Sequence, residues 1–202
     1  TISDEKIMII GLDTQATGTA GADELTWLNN LLDNANKQNL SVVVLGHPPV
    51  STLRCIDNSW LDRPYYPNMI PDTQSFESDW YPYSKKLYDD VNTWADKGVN
   101  VVCWLCGHEH ADALFIGGNV SKYPFITVNS TIQDRYSDLY RSEYGTVDAI
   151  CANLVEYIPE ERVLRVYRYG AGTSRGGLKR RCCIWGYDES NWIEWLDRSE
   201  GL

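Results

Sequence analysis

The stretch from Val101 to His110, VVCWLCGHEH, ends in the most informative motif of the chain. Its first five residues are apolar, which is typical of a strand that is buried on both faces of a sheet. Gly107 closes this run, and His108 and His110 follow it. Side chains at positions i and i+2 of an extended segment point to the same side, so both imidazoles can face one site. The stretch therefore predicts a buried strand that ends at a candidate metal site.

A second stretch upstream repeats this arrangement. The apolar run Val42–Leu45 is followed by Gly46–Pro49, whose sequence is GHPP, and the two motifs contain all three histidines of the 202 residues. Ligands of open α/β sheets bind beyond the carboxyl ends of the strands. We therefore expect the imidazoles of His47, His108 and His110 to lie close together and to bind metal, because neutral imidazole is the commonest metal ligand.

The rest of the chain predicts an α+β fold with mixed sheets. A helix begins at about Asp23, and Ser84 is the predicted N-cap of a second helix that ends near Gly98. The last two strands form a hairpin, residues 51–83 form an aromatic-rich loop, and the tail forms a loop with a short helix. Buried strands are predicted at 7–10, 42–45 and 101–105, and further strands at 113–116, 125–128, 147–157 and 162–169.

Composition excludes some classes of function. With 18 basic and 28 acidic residues the formal net charge is −10, which argues against nucleic acid as a partner because phosphate backbones require clustered Lys and Arg. No apolar stretch approaches the length of a membrane span. The six cysteines lack the spacing of a disulfide scaffold, and several lie in apolar strands, which favours a reducing, cytoplasmic compartment.

Together the two histidine motifs resemble the calcineurin-like metallophosphoesterase family. Members of that family have a strand that ends in Gly-His or His-His followed by Pro, and a later strand that ends in Gly-His-x-His. The segment Ile9–Thr14 also resembles the strand that precedes the Gln-x-x-Trp-Leu helix of many members, and Leu25–Leu28 matches that helix in part. The resemblance implies a four-layer αββα sandwich and hydrolysis of phosphate mono- or diesters at two divalent cations, Mn, Zn, Fe or Ni. It further implies that His47 and His108 bind one cation and His110 the other.

Three earlier motifs of the family are missing. The chain contains no Asp-x-His, Gly-Asp-x-x-Asp or Gly-Asn-His motif, and Gly11-Leu12-Asp13 is not Gly-Asp. The resemblance therefore implies the C-terminal portion of such an enzyme, with an incomplete metal site and no activity as the isolated chain. None of the missing roles is transferred to Asp13, for which we predict a turn at the strand end. We divide the chain into a phosphoesterase part at 1–170 and a packed extension at 171–202.

Other predictions concern the substrate and the partners. Arg54 and Arg63, in the loop that leaves His47, are candidates for binding substrate phosphate through their guanidinium groups. A sheet that lacks its leading strands should expose an edge, which favours self-association.

Three alternatives remain open on the sequence. One is a catalytically degenerate protein of the same fold. A second is a structural zinc module built from Cys103, Cys106, His108 and His110. The third is a binding module for sugars or peptides, based on the eight Trp and thirteen Tyr residues.

Overall fold

A computed structural model describes residues 6–14, 16, 18–47, 53–57, 83–107, 113–117, 123–127, 151–170, 181–186 and 193–197. These residues form two α-helices, α1 (Gly18–Gln38) and α2 (Ser84–Asp96), together with two β-sheets. The strands are β1 (Ile7–Gly11), β2 (Ser41–Leu45), β3 (Leu53–Asp57), β4 (Asn100–Cys106), β5 (Ala113–Gly117), β6 (Phe125–Thr127), β7 (Cys151–Ile158), β8 (Val163–Gly170), β9 (Arg181–Gly186) and β10 (Ile193–Asp197).

The first sheet is mixed and has the order β1-β2-β4-β6-β5-β3. Strands β1, β2, β4 and β6 run parallel, whereas β5 pairs antiparallel with both β6 and β3. The carboxyl ends of four parallel strands therefore meet at one rim of this sheet. Both histidine motifs begin at that rim, directly after β2 and β4.

Both helices pack on one face of the first sheet. Alternate residues of β1 and β2, including Ile10 and Val44, are buried in a cluster with Leu28 and Leu32 of α1 and Leu87 of α2. The cluster explains why these segments are helical, because apolar residues at i, i+4 and i+7 place one stripe of each helix against the sheet. A network of polar groups also joins the helices: Asn29 Nδ2 donates to Asp90 Oδ2 at 2.6 Å, and Trp94 Nε1 donates to Asn29 Oδ1 at 2.8 Å.

The second sheet is antiparallel and has the order β10-β9-β8-β7. Strands β7 and β8 form the predicted hairpin, whose turn is closed by the Arg162 amide donating to the Pro159 carbonyl at 3.2 Å. A hydrogen bond from Asn100 Nδ2 to the Tyr157 hydroxyl at 3.1 Å joins this sheet to β4 of the first.

The mixed α+β content is confirmed, and several local predictions were wrong. Helix α1 begins at Gly18 rather than near Asp23, and the N-cap of α2 is Tyr83, with Ser84 as its first residue. A strand, β3, lies inside the segment that we predicted as irregular. The tail contains the strands β9 and β10 in place of the predicted loop and helix, and they continue the second sheet beyond β8. The division at residue 170 stays a prediction.

Neither of the two described helices combines the length and the hydropathy that a bilayer crossing requires.

Candidate metal centre

Three backbone hydrogen bonds fasten the carboxyl ends of β1, β2 and β4 together. The Leu12 amide donates to the Leu45 carbonyl at 2.8 Å, and the Gly46 amide donates to the Leu105 carbonyl at 2.9 Å. One residue further along, the Gly107 amide donates to the His47 carbonyl at 2.8 Å. The pairing of β2 and β4 thus continues past the strands and into the two Gly-His steps.

The imidazole of His47 lies beside Gly107. A Cβ atom placed on Gly107 would be 3.4 Å from Nδ1 and 3.7 Å from Cε1 of that ring. The absence of a side chain at Gly107 therefore lets the ring lie close to the Gly107 backbone, and His47 as a whole is exposed. An exposed imidazole at the end of a strand lies outside the packed core.

Gly46 is packed closely on the side away from solvent. A Cβ atom there would lie 2.9 Å from Cγ2 of Thr14 and 2.9 Å from Nε1 of Trp104. Real Cβ atoms do not approach other heavy atoms this closely, so glycine is required at this position. The two side chains hold the turn that presents His47.

Two polar groups near the turn after β1 lack hydrogen-bond partners among the described residues. Thr14 is 1% exposed, and its Oγ1 has none. Glu24 of α1 accepts a hydrogen bond from the Asp13 amide through Oε1 at 2.6 Å, whereas its Oε2 is buried without a partner. Burial raises the pKa of the Glu24 carboxyl, and the charge of Asp13 raises this pKa further, although the hydrogen bond from the Asp13 amide opposes the shift.

Asp13 is a turn residue, as the sequence predicts. Its carbonyl accepts a hydrogen bond from the Ala16 amide at 2.9 Å, and its amide is held by Glu24. Sequence reasoning did not identify Thr14 or Glu24 as part of this region. For Thr14, the available signal was its place just beyond β1, at the rim where β2 and β4 also end.

The structure tests the predicted histidine cluster only in part. His47 is described, whereas His108 and His110 lie outside the described residues. Within the ranges that the structure covers, no group of three His, Cys, Asp or Glu side chains is arranged to hold a metal ion. The imidazole donor and its exposed position fit a divalent cation at His47. The ligand set stays a prediction.

Arg54 and Arg63 stay predictions as well. Arg63 lies outside the described residues, and Arg54 is described as part of the backbone of β3, opposite Ile116 of β5. Strand β3 is four places from β2 in the sheet, roughly 19 Å at the usual spacing of strands. The register places the backbone of Arg54 level with the middle of β4.

The structural zinc alternative receives no support from the geometry of β4. Cys103 pairs with Val43, while Trp104 pairs with Val44 and belongs, with Cys106, to the cluster on the helix side. The two thiols therefore lie on opposite faces of the sheet. Burial raises the pKa of the Cys103 thiol to about 12 and raises the pKa of the Cys106 thiol further.

Comparison with protein-family models finds no match, and comparison with curated proteins finds none either. Among solved structures, the chain is similar to a dimetal phosphatase from Danio rerio (LOC 393393) at 14% identity and a TM-score of 0.34. The aligned region covers 88% of this chain and 38% of that one. The chain therefore spans well under half of the length of that phosphatase, to which its likeness is distant.

Proposed function

We propose that the rim formed by the ends of β1, β2 and β4 binds divalent cations, and that the chain is the C-terminal portion of a calcineurin-like metal-dependent phosphoesterase. The observation that carries this proposal is the hydrogen bond between the Gly107 amide and the His47 carbonyl. Because His108 is the next residue in the chain, the bond supports the convergence of the two histidine motifs. The His47 ring also lies beside Gly107, which directly precedes His108.

The proposed ligands are His47, His108 and His110. The pattern of the family assigns the first two to one cation and the third to another, with Mn, Zn, Fe or Ni as candidates. When bound, such cations supply Lewis-acid stabilisation of phosphoryl oxygens. This chain's own contribution is to hold the His47 ring at the rim through the contacts of Gly46 and Gly107. The proposed substrate is a phosphate mono- or diester.

The proposed parent fold is a four-layer αββα sandwich. In this proposal the two helices, the mixed sheet and the antiparallel sheet correspond to three of its layers. The hydrogen bond between Asn100 and Tyr157 supports the contact of the two sheets. In this proposal a further helical layer would cover the outer face of β7 and β8, where Leu154 is 59% exposed.

The proposed site is incomplete in this chain. Three imidazoles without bridging carboxylates should bind a cation weakly, because a dinuclear centre requires ligands that the missing motifs supply. We therefore expect no EDTA-sensitive hydrolysis of p-nitrophenyl phosphate by the isolated chain with added Mn²⁺. Robust activity that EDTA removes would contradict the assignment as an incomplete enzyme.

Histidine-selective ¹⁵N NMR tests metal binding directly, because the chain has three imidazoles. During a Zn²⁺ titration, we expect all three rings to shift along one binding curve, and His47→Ala to weaken the binding seen by the other two. If the signals of the His47 ring do not shift while those of His108 and His110 do, the shared site is refuted.

A further inference from the structure

Glu24 of α1 bonds the backbone just beyond the end of β1. Its Oε1 accepts a hydrogen bond from the Asp13 amide at 2.6 Å, although the two residues are eleven positions apart. The preceding amide, that of Leu12, donates to the Leu45 carbonyl of β2. Successive amides of an extended strand point to opposite sides, so the Asp13 amide points away from β2 and requires a different acceptor. Glu24 supplies this acceptor, and a hydrogen bond to a carboxylate is stronger than one to a neutral group.

The turn that Glu24 holds packs against Gly46. Thr14 follows Asp13 and is 1% exposed. A Cβ atom on Gly46 would lie 2.9 Å from Cγ2 of Thr14 and 2.9 Å from Nε1 of Trp104, whose side chain is fully buried. Gly46 is therefore enclosed between the turn after β1 and an immobile ring of β4. Since His47 is the next residue, the peptide that presents its imidazole cannot shift while both walls stay in place.

The two walls are held in different ways. On the side of β4, the Gly46 amide and the His47 carbonyl each bond a backbone group at or just beyond the end of that strand. On the side of β1, the wall is the Thr14 side chain, and its position depends on where the turn begins. The bond from the Asp13 amide to Glu24 fixes that point. The β1 side of the rim is thus secured by a side chain of α1.

We propose that Glu24 is a positioning residue of the cation site: it holds the turn at Asp13 and Thr14 against Gly46 and thereby fixes the imidazole of His47. This inference rests on the proposed function, because it assigns Glu24 a role in cation binding at the rim. The Asp13 amide occupies Oε1 of Glu24, and its Oε2 is buried. The carboxylate therefore acts through the turn rather than as a ligand.

Two substitutions of Glu24 separate its hydrogen bond from its charge. Glu24→Ala removes both, and alanine is the best helix former, so α1 itself should persist. Glu24→Gln removes the charge but keeps a side-chain oxygen that can accept the bond from the Asp13 amide. We expect Glu24→Ala to weaken Zn²⁺ binding about tenfold, on the scale of outer-shell partners of metal ligands. Glu24→Gln should bind Zn²⁺ almost as tightly as the wild type.

Competition with a chelating dye measures these affinities, and Leu31→Ala is the matched control. Leu31 lies about two turns further along α1, on the same side of the helix, and packs against the core cluster. Its truncation should lower the free energy of unfolding without changing the Zn²⁺ affinity. Equal losses of affinity in the Gln and Ala variants of Glu24 would assign the effect to charge and overturn the proposal. A loss in Leu31→Ala as large as that in Glu24→Ala would overturn it too.

A measurement without metal separates this inference from the proposed function. In metal-free Glu24→Ala, the amides of Asp13 and Gly107 should exchange faster with solvent, and the ¹⁵N signals of the His47 ring should shift. Leu31→Ala should leave both unchanged. If Glu24→Ala leaves the Gly107 amide and the His47 ring unaltered, Glu24 does not position His47, whether or not Zn²⁺ binds. If the wild type binds no Zn²⁺, the proposed cation site fails, and with it the role of Glu24 in cation binding.

Discussion

The Gly107 amide donates a hydrogen bond to the His47 carbonyl at 2.8 Å, which joins two residues that are sixty positions apart in the chain. The bond lies outside both strands, so it fixes the turns that follow β2 and β4 relative to each other. Because the His47 ring rests against the same glycine, the backbone and the side chain at this rim are positioned by one residue.

Gly107→Ala tests the space beside the His47 ring. The added methyl group would lie 3.4 Å from Nδ1, in van der Waals contact, so the fold should tolerate it while the methyl group occupies the volume next to that nitrogen. We expect about a tenfold loss of Zn²⁺ affinity, on the scale of changes next to metal-ligating residues, with little change in the free energy of unfolding. Competition with a chelating dye measures the affinity. Gly11→Ala is the control, since its Cβ would meet nothing within 4 Å. Equal Zn²⁺ affinities of Gly107→Ala and Gly11→Ala would argue against a role of Gly107 in metal binding at His47.

Thr14→Val should stabilise the protein. The Thr14 side chain is 1% exposed and its hydroxyl has no hydrogen-bond partner among the described residues, so a methyl group of the same shape removes a desolvated polar atom. A gain of up to about 1 kcal/mol in the free energy of unfolding is expected, measured by urea denaturation. Thr14→Ser retains the hydroxyl but deletes the methyl group that contacts Gly46, and it should be destabilising. A destabilised Val variant would show that the hydroxyl has a partner.

Gly21→Ala should destabilise the contact between α1 and the start of α2. A Cβ atom at position 21 would overlap the Tyr83 ring, at 2.6 Å from Cγ, so either the ring must rotate away or the helix must shift. Overpacking of this kind costs about 1–3 kcal/mol, which thermal unfolding would detect. Adding Tyr83→Ala to the variant should remove most of the penalty. Additive effects of the two changes would mean that the overlap is not the cause.

Glu24 should make stability depend on pH. Since burial raises the pKa of its carboxyl in the folded protein, the stability it contributes is full below the ordinary value near 4.5 and is lost as pH rises through the folded-state value. Glu24→Gln does not titrate. The unfolding free energy of this variant minus that of the wild type should therefore increase as pH rises from about 4.5 through the folded-state value. Asp23→Asn, an exposed carboxyl on the same helix, is the control, and a difference that stays flat for Glu24→Gln would refute the linkage.

The sequence predicted those features that local pattern determines. Apolar runs closed by glycine identified β1, β2 and β4, and the Gly-His steps identified the rim at which His47 meets Gly107. The elements that the sequence did not predict are those that depend on pairing with distant segments of the chain. Strand β3 has no alternating pattern of apolar and polar residues, and it pairs antiparallel with β5.

Packing between distant segments explains the other differences. Helix α1 starts five residues early, through Gly18 and Gly21, which are poor helix formers; Gly21 is matched to the Tyr83 ring. Thr14 was not recognised because its burial depends on β1 and β2 ending together at Gly46. The prediction for the tail was wrong because its residues have no hydrophobic periodicity that distinguishes a strand from a helix. Strand β9 pairs with β8, and β10 pairs with β9.

The place of β3 also constrains the order in which the chain folds. This strand follows β2 in sequence, yet three strands that are synthesised later, β4, β6 and β5, separate the two in the sheet. Its pairing partner is β5, about sixty residues downstream. Such distant pairing is slow to form because a long loop must close first. On a nascent chain, β3 therefore cannot pair until β5 has been synthesised. The amides of β3 should become protected from hydrogen exchange after those of β1 and β2.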